Sequence, residues 1–395
     1  MGKKSILVFG VGELQLSIIE RAKAMGLFVI GIDPFADAVC RDACDAFEVV
    51  GGQDYEGTLA VCRKYGVNAI VTAATDKPLV MMARVAKELN LSFYTEETAI
   101  WSTDKYQMKR RFLEGGIPCA QGRLIHDAEE AKDFDFPVIC KPRDNSGSRG
   151  VKLCRDLSEL DICIKEAFEV SKLDTILAEE FIEGREFSIE SLHYDGMSEV
   201  IQFTEKKTTE FPYNVELGHK QPANLTDDQR NKIRDIISKI ANCMKFENCP
   251  SHTELKVNDR GIFVIETSPR LGGDYITSHL TPLSTGINLE DQLLHISLGE
   301  PVDTKTGRVE KASAVCFFSF PEGEVKDIDE QRVTEIATWP NVHCFQLKLH
   351  VGDKVGNITS SLNRYGQFIV TGDSREEINT LVDKYEKEIN HLIKI

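Results

Sequence analysis

The sequence of 395 residues contains no apolar run of about 18 residues, which excludes a membrane-spanning helix. An excess of positive charge is also missing, because 63 acidic residues stand against 47 basic ones and the net charge is −16. Binding to a phosphate backbone needs clustered Lys and Arg side chains. We therefore expect neither a membrane nor a nucleic acid as partner.

The eleven cysteines are an odd number, and they show no C-x-x-C pairs or partnered histidines. A zinc set and a disulfide framework are therefore not expected, and reduced thiols in a cytoplasmic protein explain the cysteines best. The start MGKKSILVFGVG is basic but breaks into glycines, where a signal peptide needs a continuous apolar stretch. A chain of this length predicts two or three domains.

The first hundred residues alternate between strand and helix patterns. This alternation predicts a doubly wound parallel sheet with helices on both faces. The expected strands cover 5–10, 27–33 and 68–74, and the expected helices lie near 13–25 and 77–89.

The turn after the first strand begins like a dinucleotide-binding fingerprint. Gly10 and Gly12 are in place and Asp33 follows roughly 20 residues later, but Gln15 stands where the third glycine belongs. A tight strand-to-helix turn is therefore favoured over a dehydrogenase that binds NAD through this domain.

The pattern changes from about residue 102. Thr103 and Asp104 can cap a helix that runs to Leu113. The stretch 205–224, with Gly218 and Pro222, is predicted to be a loop. The remaining expected elements are strands at 137–142, 150–154, 176–182 and 185–193, helices at 156–171 and 226–245, a strand-rich region after residue 301 and a last helix at 375–393.

A predicted hairpin in residues 252–274 places two acids opposite each other. A three-residue loop, Asp259-Arg260-Gly261, would pair Glu254 with Glu266. It would also pair Asn258 with Ile262 and Lys256 with Val264, and turn Leu255, Val257, Phe263 and Ile265 to the apolar face. Opposed acids repel, whereas a divalent cation turns that repulsion into coordination. The pair therefore predicts a metal site near phosphates.

A second cluster predicts phosphate binding. Lys141 ends an apolar strand, and the Gly/Ser-rich loop 144–150 follows it directly. Small residues let backbone N–H groups approach phosphate oxygens. Further along, Glu179 with the backbone of Glu180 and Ile182 could bind an adenine edge, and Glu186 could accept hydrogen bonds from a ribose.

In order and spacing these pieces resemble the ATP-grasp superfamily, which includes biotin carboxylase, carbamoyl phosphate synthetase, the purine-biosynthetic ligases and the L-amino-acid ligases. The resemblance implies an α/β and α+β protein: a doubly wound domain over 1–100, an ATP-grasp domain over 101–304 with a lid subdomain at about 116–184, and a strand-rich domain over 305–395. It implies ATP and one or two Mg²⁺ ions, with Mn²⁺ as an alternative.

The resemblance also implies a role for each site residue. Lys105 and Lys141 would contact phosphates, and Arg270 would stabilise the transferring phosphoryl group. The lid loop would cover the nucleotide with Ser146, Gly147, Ser148 and Gly150; Glu179, Glu180, Ile182 and Glu186 would hold the nucleoside; Glu254, Glu266 and Ser268 would bind metal.

Two positions depart from the family pattern. Ser268 replaces the asparagine that usually coordinates the second metal. Asp274 falls where biotin carboxylase-like enzymes have an acidic base, but Gly272 and Gly273 precede it instead of glutamine and valine, so a bicarbonate pocket is not expected. Asp274 and His219 would instead shape the acceptor pocket.

The expected reaction joins a small-molecule carboxylate to an amine through an acyl phosphate and releases ADP and phosphate. The resemblance favours an L-amino-acid ligase that forms a homodimer. A phosphoribosylglycinamide synthetase-like purine ligase and a non-catalytic ATP-binding module remain as alternatives.

Overall fold

The computed structural model describes residues 3–145, 147, 149–211 and 213–395. It begins with a four-stranded parallel sheet, which confirms the predicted N-terminal architecture. The strands are Ser5–Phe9 (β1), Phe28–Asp33 (β2), Ala46–Val49 (β3) and Ala69–Thr72 (β4), in the order β3-β2-β1-β4. The helices around them are Leu16–Ala24 (α1), Tyr55–Tyr65 (α2), Leu79–Leu89 (α3) and Glu96–Thr103 (α4). β1 and β4 are fully buried, as continuous apolar strands in a parallel sheet should be.

A helix at Lys105–Glu114 (α5) leads from this sheet into the lid. Its N-cap is Asp104, whose carboxylate accepts hydrogen bonds from the N–H groups of Tyr106 and Gln107. The cap places Lys105 at the first position of the helix, where its side chain reaches the active-site region.

The lid is a small antiparallel sheet covered by one helix. Its strands are Gly122–Ile125 (β5), Val138–Pro142 (β6), Lys152–Cys154 (β7) and Ile176–Glu180 (β8), in the order β5-β8-β6-β7, and its helix is Leu157–Val170 (α6). Apolar side chains of α6 pack on the sheet to form a separate core. The lid therefore has its own apolar interior beside the main body.

The main body is one eight-stranded antiparallel sheet. Its strands are Arg185–Tyr194 (β9), Met197–Thr208 (β10), Glu216–Gln221 (β11), Cys249–Asn258 (β12), Gly261–Ser268 (β13), Ala312–Phe317 (β14), Val342–Leu347 (β17) and Gly366–Gly372 (β19). Short pairs are formed by Gly323–Glu324 (β15) with Lys354–Val355 (β18) and by Asp327–Ile328 (β16) with Ile393–Lys394 (β20). The remaining helices are Asp227–Met244 (α7), Thr281–Thr285 (α8), Leu289–Ser297 (α9), Glu330–Ile336 (α10) and Arg375–Ile389 (α11).

This sheet is continuous across residue 304, where a domain boundary was predicted. Its order is β13-β12-β9-β10-β11-β14-β19-β17, so strands on both sides of that position are hydrogen-bonded together. The C-terminal region is strand-rich, as expected, but it shares a sheet with the region before it.

The prediction of a loop over 205–224 was wrong for half of this stretch. The end of β10 and all of β11 lie within it, in the middle of the large sheet. The side chain of Lys206 is 3% exposed and His219 is buried, as befits strands inside a sheet. Gly218 suggested a turn, yet a side chain there would meet the Val315 carbonyl oxygen at 2.7 Å. This glycine allows two strands to approach each other.

The hairpin of β12 and β13 forms, but its predicted register was partly wrong. The loop has two residues, Asp259 and Arg260, because the Asn258 side chain accepts hydrogen bonds from the N–H groups of Arg260 and Gly261. Asn258 therefore pairs with Gly261, and Ile262 and Val264 are the buried apolar residues of β13, not Phe263 and Ile265. A bulge between Glu254 and Leu255 then restores the expected pairing of Glu254 with Glu266.

Candidate active site

One face of the large sheet carries an unusual concentration of polar side chains. Pairing across β10, β9, β12 and β13 sets them in three rows. The rows are Lys206, Glu186 and Lys256; Thr204, Ser188, Glu254 and Glu266; and Gln202, Glu190, His252 and Ser268. Buried polar groups are costly unless they are paired. This face is therefore built for polar ligands.

The two opposed acids are each paired with a lysine. Lys206 Nζ lies 3.0 Å from Glu254 and 3.3 Å from Glu216, and Lys105 Nζ donates a 2.8 Å hydrogen bond to Glu266. Burial acts against ionisation of Glu254, but Lys206 and His252 hold its pKa well below the usual range. Glu254 is therefore available as a carboxylate, a ligand that Mg²⁺ prefers.

A bound metal would need ligands beyond these two acids. In the described part of the chain, no group of three or more His, Cys, Asp or Glu side chains is arranged to hold an ion. Magnesium that carries phosphates is commonly held by only one or two carboxylates and completes its coordination with phosphate oxygens and water. Glu254 and Glu266 fit that pattern.

A buried histidine, His252, lies next to Glu254. His252 Nδ1 lies 2.7 Å from Glu190, and its Nε2 lies 3.4 Å from Glu254. Burial opposes protonation, but Glu190 and Glu254 raise the pKa of His252 to about 9. The ring is therefore charged at neutral pH. A side chain at Gly272 would meet His252 Nδ1 at 2.6 Å, so this glycine makes room for the histidine.

Lys141 is buried in an ion-paired cluster. It contacts Glu179, whose other carboxylate oxygen lies 2.8 Å from Lys109. Burial lowers the pKa of Lys141, against the opposing effect of Glu179. The Glu179 carboxylate therefore neutralises two lysines instead of presenting itself at an adenine edge, where the sequence placed it. Two buried ammonium groups require such a counter-charge.

Between the lid and the main sheet lies a cleft, which we call the lid cleft. It is lined by Lys105, Lys141, Gly147, Glu180, Phe181, Ile182, Glu186, Lys256, Glu254 and Glu266, among others. It thus brings most of the predicted nucleotide and metal residues together. Glu186 pairs with Lys256 at 3.1 Å and accepts a 3.0 Å hydrogen bond from Asn214. The N–H group of Glu180 already donates to the Gln121 carbonyl oxygen at 2.8 Å. Of the two backbone N–H groups predicted to bind an adenine edge, that of Ile182 is therefore the better candidate.

The lid loop closes one end of this cleft. Gly147 and Arg149 line it, and Gly150 has a positive φ of 74° with Pro142 and Val170 too close for a side chain. The predicted loop residues Ser146 and Ser148 lie outside the described residues.

Arg270 meets an acid that the sequence analysis missed. Its guanidinium donates two hydrogen bonds to Asp76, at 2.8 and 2.9 Å, and Ser268 Oγ donates one to the same carboxylate at 2.6 Å. Burial acts against ionisation, but Arg270 and Ser268 hold the pKa of Asp76 at about 2. Ser268 was predicted to bind metal; the structure directs its hydroxyl to Asp76.

A second arginine fixes Asp274. Arg364 donates hydrogen bonds of 2.8 and 2.6 Å to this carboxylate, and His219 Nε2 lies 3.4 Å from it. Burial is outweighed by these partners, which keep the pKa of Asp274 well below its ordinary value. Asp274 is therefore unsuited to accept a proton at neutral pH. Arg364 comes from the C-terminal region, and it carries no local motif that could have identified it.

These groups surround a second cavity, which we call the central pocket. Its lining combines charged groups with a few apolar ones: Leu14, Ala74, Asp76, Lys206, Glu216, His219, His252, Glu254, Glu266, Arg270, Asp274, Ile276 and Ser360, among others. The lid cleft and the central pocket share Gly147, Arg149, Lys206, Glu216, Glu254 and Glu266. A ligand in each cavity would therefore meet the other beside the acid pair.

Family comparisons agree with this geometry. Residues 134–278 match the model of an ATP-grasp domain, and residues 316–392 match the L-amino acid ligase C-terminal domain 2. An alanine–anticapsin ligase of Bacillus amyloliquefaciens is 24% identical over 284 residues, which are 65% of this chain and 59% of that protein. The match thus spans less than two thirds of that relative.

Solved structures match along the whole chain. The crystal structure of an L-amino acid ligase from Bacillus licheniformis has a TM-score of 0.84 at 21% identity and covers 100% of this chain and 98% of its own. A phosphoribosylglycinamide synthetase from Anaerococcus prevotii has a TM-score of 0.78 at 22% identity, with 100% and 99% covered. At these identities the likeness establishes the fold.

Proposed function

We propose that the chain is an ADP-forming carboxylate–amine ligase of the ATP-grasp superfamily and that its own substrates are L-amino acids. The observation that carries this proposal is the C-terminal region. The segment that matches the L-amino acid ligase domain places Ser360 and Ser361 in the lining of the central pocket. From the same segment, Arg364 holds Asp274, which also lines the pocket. The match and the pocket therefore concern the same residues.

ATP is proposed to occupy the lid cleft. Lys105 and Lys141 would neutralise its phosphates, and Ile182 and Glu186 would hold the nucleoside. Glu254 and Glu266 would hold Mg²⁺, which when bound neutralises charge on the phosphate oxygens. Lys105 is paired with Glu266 and Lys206 with Glu254, so both acids already have cationic neighbours.

The first chemical step is transfer of the γ-phosphoryl group. A carboxylate oxygen of one substrate attacks the γ-phosphorus, the bond to the bridging oxygen breaks, and ADP leaves. Charge that spreads over the phosphoryl oxygens would be stabilised by Arg270 and Lys105. Asp76 holds the Arg270 guanidinium in a fixed orientation, so little reorganisation is needed.

The second step forms the C–N bond. The amine nitrogen of the other substrate attacks the acyl carbon, phosphate leaves with the bonding electrons, and the nitrogen loses a proton. Asp274 is held as an ion pair by Arg364, so we assign it to the shape of the pocket and not to proton transfer.

A purine-type substrate is the main alternative, and the glycine turn of the first domain argues against it. The N–H group of Val11 donates to Asp33 at 3.0 Å, and that of Gly12 donates to the Gln15 side chain at 3.1 Å. The turn thus uses its own N–H groups and faces a carboxylate. A phosphate or a dinucleotide would be repelled there.

A phosphate-release screen tests the proposal. The purified chain is incubated with ATP, Mg²⁺ and pairs of L-amino acids, with phosphoribosylamine plus glycine as a separate arm. We expect phosphate and ADP only when a carboxylate and an amine are both present. Turnover confined to the purine arm would refute the amino-acid assignment. AMP as product would refute the acyl-phosphate scheme, and ATP binding without turnover under every pair would indicate a non-catalytic module.

Further properties belong to the same proposal. We propose one or two Mg²⁺ ions, replaceable by Mn²⁺, a homodimer, and a cytoplasmic location. Among the helices of the described residues, none combines the length and apolar character that a membrane crossing requires. Sedimentation of the 44.3 kDa chain as a single monomeric species at micromolar concentration would contradict the dimer.

A further inference from the structure

The N-terminal sheet contains a crevice at the position where doubly wound sheets usually bind ligands. The chain adds β2 and β3 on one side of β1 and then places β4 on the other side, although all four strands are parallel. The segments that follow β1 and β4 therefore lead to opposite sides and leave a crevice between them. Residues 10–15 follow β1 and residues 73–76 follow β4. The crevice between them opens toward the central pocket through Leu14 and Ala74.

The floor of this crevice is closed by its own hydrogen bonds. Gln15 Nε2 donates a 2.6 Å hydrogen bond to the Ala73 carbonyl oxygen, and Gln15 Oε1 accepts from the N–H group of Gly12. Gln15 thus joins the two diverging segments. The N–H groups of Gly10, Val11, Gly12 and Gln15 all donate within the chain, so the turn is poorly suited to hold an anion. The crevice instead presents side chains to the central pocket.

What it presents is apolar. Leu14, Ala74, Gly273 and Ile276 form one wall of the central pocket, whereas the rest of the lining is mostly charged or polar. Leu14 is 37% exposed and lines the pocket, so its side chain is available to contact a ligand there. A methyl group at Gly273 would lie 3.4 Å from Ala74 Cβ, so Gly273 and Ala74 lie in close contact in this wall.

The wall lies next to the group assigned to phosphoryl transfer. Ala74 is two residues from Asp76, which holds Arg270, and Ala73 forms a bridge with Leu271 directly after Arg270. A substrate whose carboxylate lies beside Arg270 would therefore direct its side chain along this wall. On the proposed function, that substrate is the amino acid that becomes phosphorylated.

We infer that the crevice between β1 and β4 is the side-chain pocket for an apolar amino acid that serves as acyl donor, with Leu14 and Ala74 setting the size it accepts. Leu14 limits the depth of the pocket. Ala74 has a positive φ of 57°, a conformation that disfavours larger side chains and so keeps this position small. In an apolar pocket, each methylene gained or lost changes selectivity by roughly 10- to 200-fold.

The test measures kcat/KM for a series of donors from alanine through valine, leucine and methionine to phenylalanine, with one fixed acceptor. The position of each residue in the product dipeptide is read by mass spectrometry. Leu14→Ala should raise kcat/KM for the bulky donors relative to alanine by about tenfold or more. Leu14→Phe should shift the ratio the opposite way, and both variants should keep the KM for ATP.

Two further variants complete the design. Ala74→Gly accepts a positive φ and widens the wall, so it should favour bulky donors even if Leu14→Ala folds poorly. Leu113→Ala on α5, where Leu113 is 47% exposed and outside both cavities, is the matched control and should leave the profile unchanged.

The outcomes separate the inference from the proposed function on which it rests. Normal turnover with an unshifted donor profile in Leu14→Ala, Leu14→Phe and Ala74→Gly would overturn the inference alone. A shift confined to the acceptor position would overturn it as well. If the unaltered chain releases no phosphate with any amino-acid pair, the proposed function falls, and the inference falls with it.

Discussion

At the scale of single residues, the site is a set of partly buried charges that neutralise each other. Glu254 is paired with Lys206, Glu266 with Lys105, and Asp76 with Arg270. A buried charge without a partner is unstable, so a nucleotide-binding site that is empty for part of each cycle needs internal counter-ions. When metal and phosphate bind, the acids would pair with the metal cation in place of lysine. The lysines would pair with phosphate in place of the acids.

Glu266→Gln should remove one metal ligand while preserving the shape of the side chain. We expect phosphate release to fall by about a hundredfold or more, since each such group stabilises developing charge. Glu324→Gln, at an exposed position far from the cavities, is the control. The measurement is a steady-state phosphate assay with circular dichroism to check folding. Turnover at the unaltered rate in a folded Glu266→Gln protein would remove the metal assignment.

A second prediction concerns pH and the contact between α1 and α9. Glu290 is buried and accepts a 2.5 Å hydrogen bond from Ser17; burial raises its pKa to about 7. The protonated acid favours the folded state, and this contribution is complete below the unfolded value near 4.5 and lost as the pH rises through 7. Glu290→Gln should therefore unfold at higher urea at pH 8.5, by on the order of 3 kcal/mol, and differ little at pH 4.5.

The matched control is Glu322→Gln, because Glu322 is exposed on the surface. Its urea midpoint should follow that of the unaltered chain at both pH values. Equal stability of Glu290→Gln and the unaltered chain at pH 8.5 would contradict a neutral buried carboxyl at this contact.

At the scale of elements, the site depends on strands that approach each other closely. The bulge at Ile265 of β13 sets Glu254 opposite Glu266, and glycines admit neighbours at two points near the site. Gly218 admits the backbone of β14, and Gly272 admits the His252–Glu190 pair. The spacing of these elements thus decides which charges can meet.

Gly272→Ala tests this spacing. The added methyl group would stand 2.6 Å from His252 Nδ1 and 2.9 Å from Glu190, so the buried pair must move. Overpacking of this kind costs about 1–3 kcal/mol of folding free energy. Because His252 contacts Glu254, we also expect roughly a tenfold lower kcat for phosphate release. Gly52→Ala, with nothing within 4 Å of the new methyl group, should change neither quantity. An unaltered kcat in Gly272→Ala would show that the pair does not support Glu254.

At the scale of the whole molecule, three regions meet at the two cavities. The N-terminal sheet supplies Asp76, the lid supplies Lys141, and the C-terminal region supplies Arg364. The site exists only when all three regions are folded. A ligand that binds there therefore stabilises the folded state of the whole chain.

Thermal unfolding should therefore respond to ATP and magnesium together. At a hundredfold excess over Kd, binding adds about 2.7 kcal/mol of stability, which appears as a higher Tm. Removing Mg²⁺ with EDTA should abolish most of the increase, and Glu266→Gln should show little of it. An equal Tm shift with ATP in EDTA would mean that the nucleotide binds without the acid pair.

The sequence alone was enough for the features that depend on local pattern. Alternating apolar segments predicted the parallel sheet, and the hairpin predicted the opposed Glu254 and Glu266, although a bulge that no local rule revealed was needed to align them. The stretch around His219 was misassigned because Gly218 and Pro222 suggested a loop, whereas Gly218 allows two strands to approach each other and His219 is buried.

Only the tertiary structure decided which distant groups of opposite charge form ion pairs. Asp76 and Arg270 are 194 positions apart, and Arg364 lies 90 positions from Asp274. The sequence determines the type and local order of the side chains, because hydrophobic periodicity and turn chemistry act over a few residues. Pairing between distant charges follows from how the sheets pack, and that packing is a property of the whole folded chain.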